Sequence, residues 1–113
     1  MLTTVDGLRH GQLVRSIAGR DANHYYLIFD LEGDKYLMLV DGLHHRVVNP
    51  KKKNIKHVKV LMLVNKEIEE LVFKGEIISD FEVIQAINKM KNELEEGGSV
   101  SWGNKTSLKS KEL

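Results

Sequence analysis

GQLVRSIAGRDANHYYLIFDLEGDKYLMLVDG, residues 11–42, is the stretch on which the fold turns. It reads as three short strands joined by two polar turns. Leu13, Val14 and Ile17 sit among Gln12, Arg15 and Ser16, which suits a strand buried mainly on one face. Ala18 to Asn23 is a loop by composition, and Gly19 and Asn23 are its two residues that most easily take a positive φ. Tyr25–Leu31 is rich in aromatic and β-branched residues, a strand by propensity. Glu32-Gly33-Asp34 is a hairpin signal, and Lys35–Val40 is the returning strand. That strand is apolar on both alternating faces, which places it centrally or under cover on both sides.

Outward from this stretch, Asp41-Gly42 marks another turn, and Leu43–Val48 (LHHRVV) is expected to be a fourth strand. Pro50 and the adjacent Lys51, Lys52 and Lys53 follow, three ammonium groups expected to repel one another and stay in water. His57–Val64 has the pattern of a fifth strand closing a barrel. Ile68, Leu71 and Val72 keep helical spacing, which predicts a short helix over 65–74 that Gly75 breaks. Ser79-Asp80-Phe81-Glu82 is a capping box. Behind it Val83, Ile84, Ile87, Met90 and Leu94 form one apolar stripe, and Gly97-Gly98 is expected to end the helix. The predicted organisation is a mainly β, small five-stranded barrel over 7–64, a connector over 65–78, a helix over 79–96, and a disordered tail over 97–113 containing Trp102.

Composition narrows the function. With 113 residues there is room for one domain and an appendage. No cysteine is present, so disulfides and thiolate metal sites are excluded. No stretch approaches the ~20 apolar residues that span a bilayer, and the opening MLTTVDGLRHG lacks a basic start and apolar run. A cytoplasmic protein without membrane contact is therefore expected. The net charge of +1 conceals a dipole. Residues 9–66 carry eleven Lys/Arg against five Asp/Glu, whereas residues 67–100 carry three against nine. A polyanion would be drawn to the first part and repelled by the second.

Residues 11–42 resemble the KOW motif of ribosomal proteins and transcription elongation factors. Gly11-Gln12-Leu13-Val14 is similar to its opening Gly-x-x-Val, and Ser16 to Asp21 to its Ser/Gly-Lys/Arg-Asp loop. The wider segment, roughly 7–92, resembles small bacterial KOW-domain proteins related to archaeal and eukaryotic large-subunit ribosomal proteins. The matching features are the Gly-Arg-Asp loop, the Asp-Gly before a basic strand, the Asn-Pro-Lys-Lys-Lys run leading to Ile-Lys-His, and the Ser-Asp helix start. One departure is Asn23, which stands near a glycine of the pattern. The resemblance implies a Src-homology-like barrel that binds RNA, with ribosomal RNA and ribosomal proteins as partners.

On that reading Arg15, Arg20, Arg46, Lys51, Lys52, Lys53 and Lys56 neutralise phosphates along a basic rim. Gly19, Asn23 and His24 set the loop's approach to RNA. Arg46 to Lys66 contains no acid, which favours a polyanion over an idle solvated face. Neighbouring His44 and His45 would point to opposite faces of a strand, so no metal or other cofactor is expected. No nucleophile elbow or phosphate loop is present, so neither catalysis nor a small-molecule substrate is expected. The rival reading is a small-barrel protein-interaction adaptor without RNA contact, using the acidic helix.

Overall fold

The computed structural model describes residues 3–100, with side chains described through residue 95. Five strands form one antiparallel sheet: β1 (Gln12–Ser16), β2 (Tyr25–Glu32), β3 (Tyr36–Val40), β4 (Lys51–Asn54) and β5 (Val58–Val64). Their order across the sheet is β4-β3-β2-β1-β5. A single 3-10 turn, Ile55–His57, joins the two edge strands. β5 does add to β1, as its pattern predicts, but no ladder joins it to β4, so the sheet is open and not a closed barrel.

Alternation gives the sheet a core on each face. Leu13, Leu27 and Val40 are directly opposed across β1, β2 and β3. They pack with Ile68, Ile78, Val83, Ala86, Ile87 and Met90 under two helices. On the other face Val14, Tyr26, Ile28, Leu37 and Leu39 pack with Val5, Ile55 and Val58. Leu37 and Leu39 thus lie in one core and Val40 in the other, the double cover expected for β3. The β1–β5 ladder is irregular between Gln12 and Val14. There the buried Gln12 amide donates to the Leu61 carbonyl and accepts from the Arg9 N–H, so both ends of that buried side chain are paired.

Helix α1 (Lys66–Lys74) starts where the Asn65 side chain accepts from the Ile68 N–H, and stops at Gly75, whose φ is +73°. Helix α2 (Asp80–Val100) begins with the capping box: the Ser79 hydroxyl accepts from the Glu82 N–H, and Glu82 accepts from the Ser79 N–H. Its stripe is buried at Val83, Ile87 and Met90, and half-buried at Ile84 and Leu94. Gly97 and Gly98 do not end it, since the helix runs through both to Val100. A glycine costs a helix interior about 1 kcal/mol, which weakens a helix without forbidding it. Of the tail expected to be disordered over 97–113, residues 97–100 continue the helix instead, and the rest, with Trp102, lies outside the described residues. Among the described residues no helix is long and apolar enough to cross a membrane.

The expected strand over Leu43–Val48 is absent, and the lysine run supplies the fourth strand instead. The cause is Asp41. One of its carboxylate oxygens accepts from three backbone N–H groups, those of Leu43, His44 and His45, each at 2.8–2.9 Å. Donors gathered on one side chain cannot also serve a ladder. The carboxylate of Asp80 then accepts from the Val47 N–H and from Arg46 Nε, tying this loop to the start of α2. Gly42 lets the two approach, because a Cβ there would lie 2.5 Å from the Asp80 carbonyl oxygen.

Candidate nucleic-acid interface

The loop between β1 and β2 is closed at its base by backbone. The Ser16 N–H donates to the His24 carbonyl, and the Asn23 N–H donates to the Ser16 carbonyl at 2.7 Å. Two left-handed residues turn the chain, Gly19 at φ +87° and Asn23 at φ +72°. Asn23 is the single non-glycine residue with positive φ among the described residues. It adopts the conformation for which a glycine is ordinarily chosen.

Asp21 holds the loop from inside. Its carboxylate accepts from the Ser16 hydroxyl at 2.8 Å, the Tyr26 hydroxyl at 2.7 Å and Lys53 Nζ at 3.0 Å. Burial alone would push the Asp21 carboxyl up. The hydrogen bonds from Tyr26, Lys53 and Ser16, with the Lys53 charge, outweigh it and hold the group well below the usual carboxylate range. Burial and the adjacent carboxylate push the Tyr26 hydroxyl up, so it remains a donor. Lys53 also donates to the Ala18 carbonyl, and its side chain is only 10% exposed.

The lysine run alternates as a strand must. Lys51 and Lys53 oppose Leu39 and Leu37 and reach toward Asp21, whereas Lys52 opposes Met38 on the other face. Lys52 pairs with Glu32 at 2.8 Å and lies over the Tyr36 ring. The three lysines do not simply stand in water. Lys56, in the 3-10 turn, is exposed, and the turn is bound to the loop by the Ile17 N–H donating to the His57 carbonyl. Arg20 is exposed in the loop and has no ion-pair partner among the described residues.

The structure therefore gathers Gly19, Arg20, Asn23, Lys51, Lys53 and Lys56 around one loop. The other four expected residues do not join them, Lys52 because it stands on the opposite face with Glu32. Arg46 is held by Asp80 at 2.9 Å, at the start of α2. Arg15 is on the helix-covered face with Leu13. His24 belongs to the loop's base, and its Nε2 is bound to Asp41 at 2.7 Å, with its ring against Tyr26. Burial opposes ionisation of Asp41, but the backbone donors of His45 and Leu43, then His24, hold that carboxyl low. Among the described residues no group of three or more His, Asp or Glu side chains is placed to hold a metal ion.

Sequence reasoning missed the two aspartates that organise this region, because a lone acid in a basic stretch reads as incidental. The available signal was position: Asp21 follows Gly19-Arg20 inside a loop, and Asp41 precedes Gly42 at a strand end, sites where carboxylates bind backbone or neighbouring donors. No protein-family model and no curated protein matches this chain.

Proposed function

We propose that the chain is an RNA-binding module of the KOW kind that meets the phosphates of structured RNA through the loop between β1 and β2. Arg20 at the loop and Lys56 beside it carry the exposed charge, with Lys51 partly spent on Asp21. Lys53 positions the loop and does not reach outward. The observation that carries the reading is the Asp21-held loop itself. It presents Arg20 on a backbone turned by Gly19 and Asn23, and its one carboxylate is already saturated by donors. Asn23 supports the KOW resemblance by supplying the left-handed backbone that the pattern draws from glycine. The five-stranded antiparallel order supports an open relative of the Src-homology barrel, and ribosomal RNA is the target that the resemblance implies.

The test is the salt dependence of binding to a labelled ribosomal RNA fragment, read by fluorescence anisotropy. The three loop contacts, by Arg20, Lys51 and Lys56, contribute about −2 to −3 to the log–log slope. The double variant R20E/K56E should abolish retention. A salt-independent affinity, or full binding by that variant, contradicts the proposal.

One observation favours the adaptor reading. Phe73, Ile77 and Phe81, at the corner between α1 and α2, are 89%, 93% and 64% exposed. A protein partner seated there would be indifferent to R20E/K56E and sensitive to F73S/F81S.

A further inference from the structure

Arg15 precedes Ser16 and faces the opposite side of the sheet from Lys53. Its direct cross-strand partners are Tyr25 on β2 and Lys59 on β5. Directly opposed residues share a face, so Lys59, Arg15 and Tyr25 form one row across three strands, about 10 Å from end to end. Helix α2 adds a fourth member, with Lys91 Nζ over the Tyr25 ring at 5.3 Å from its centroid.

This row, like Arg20, Lys35, Lys56, Lys66 and Lys89, differs from the paired cations of the domain. Arg9, Arg46, Lys51, Lys52, Lys53 and Lys74 each have a carboxylate within ion-pair distance. Arg15, Lys59 and Lys91 have none among the described residues. Like charges collected without a counter-charge oppose folding unless something answers them. A second observation points the same way. The Nε of Arg15 is buried and has no hydrogen-bond acceptor, the one such side-chain atom among the described residues. A buried donor of this kind calls for a partner. The Nη groups of the guanidinium, beyond the buried Nε, can present N–H donors to the oxygens of a phosphate. A cleft of about 290 Å³ is lined by Tyr25 and Lys91 at one end of the row and by Asn23 and His24 at the base of the loop. Asp41 also lines it, but its oxygens are occupied by four donors.

We infer that Lys59, Arg15 and Lys91 form a second phosphate-binding site, which grips the backbone of the RNA strand as it leaves the loop. Arg15 takes the phosphate oxygens, Lys59 and Lys91 flank it, and Tyr25 holds Lys91 in place. The inference rests on the RNA reading of the loop, and the shared chemistry, adjacent phosphate groups, would also suit a free polyphosphate.

The experiment uses the full chain and two probes, a fluorescein-labelled oligouridylate and tripolyphosphate. Glutamine at Lys59 and Lys91 removes charge while keeping an aliphatic stem over Tyr25. K59Q/K91Q should melt like the parent, bind oligouridylate about tenfold more weakly, and show a salt slope shallower by about 1.4. The Arg15 Nε–H signal in NMR should shift when either probe is added. Parental affinity and slope in K59Q/K91Q, with binding lost in R20Q/K56Q, overturn the row and leave the loop reading intact. A shift of Arg15 Nε–H with tripolyphosphate alone, weakened in K59Q/K91Q, keeps the phosphate site and overturns the RNA reading. No shift with either probe overturns the inference.

Discussion

Replacing Asp21 with asparagine keeps the shape of the loop's anchor and removes its charge. The structure sets the magnitude. Three donors converge on the carboxylate at 2.7–3.0 Å, and one of them, Lys53, is 10% exposed and has, among the described residues, only the Ala18 carbonyl as a second acceptor. Breaking a fully buried pair from one side costs about 3–5 kcal/mol, and a hydrogen bond to a charged group contributes about 1.5–3. Asp21 is 18% exposed, which relieves part of the loss. The expected destabilisation by D21N is therefore about 2–4 kcal/mol. Urea unfolding would show it as a midpoint lowered by roughly 1–2 M with an unchanged slope. In the double variant with K53M the stranded ammonium is gone, so the combined loss should fall short of the sum by about 1 kcal/mol or more. D21N also removes a negative charge from the domain, yet it should weaken RNA binding, because Arg20 loses its support. A D21N stability within about 0.5 kcal/mol of the parent, the range of ordinary surface changes, or strict additivity with K53M, refutes the reasoning.

Acid should destabilise the domain through the same groups. Asp21, Asp41 and Glu69 are all held below their usual range when folded. Their stabilisation is complete above the unfolded value, about 3.9 for Asp, and is lost as pH falls through the folded value. Unfolding free energy should thus decline below about pH 4, and less steeply in D41N; an identical acid slope in D41N contradicts this. Gly42→Ala should cost more than about 2 kcal/mol, since its Cβ would meet the Asp80 carbonyl at 2.5 Å and Ile84 at 2.8 Å on a left-handed backbone. Gly33→Ala, with φ +64° and open space, should cost only about 1 kcal/mol, and equal losses in urea unfolding would deny the close approach. Asn23→Gly should be neutral within a few tenths of a kcal/mol, while Asn23→Ala should lose about 1; indifference to both would mean that the loop does not need its left-handed turn.

Where local pattern and tertiary packing agree, the sequence was legible. β2 is rich in aromatic and β-branched residues and β3 is apolar on both faces, and the residues between them form the turn that Glu32-Gly33-Asp34 signals. α1 and the Ser79–Glu82 box likewise sit where their spacing puts them. LHHRVV misled because the N–H groups of Leu43, His44 and His45 are claimed by Asp41 and that of Val47 by Asp80, a competition invisible to a hydropathy pattern. The lysine run misled in the other direction. Arg46 to Lys66 holds no acid, yet Asp21, Glu32 and Asp80 come from three distant places to meet four of its cations. Freedom from acids along the chain is not freedom in space. That Arg20, Lys56 and the row of Lys59, Arg15 and Lys91 are among the cations without ion-pair partners in the described residues emerges only from the registers and the helix packing.

The central claim is that RNA lies against the loop between β1 and β2. Ultraviolet crosslinking in living cells, with mass-spectrometric mapping of the nucleotide-bearing peptides, tests it most directly. The account predicts adducts within residues 15–25 and 51–59, on ribosomal RNA. Recovery of no RNA above background, or adducts confined to the acidic helix α2, would contradict it.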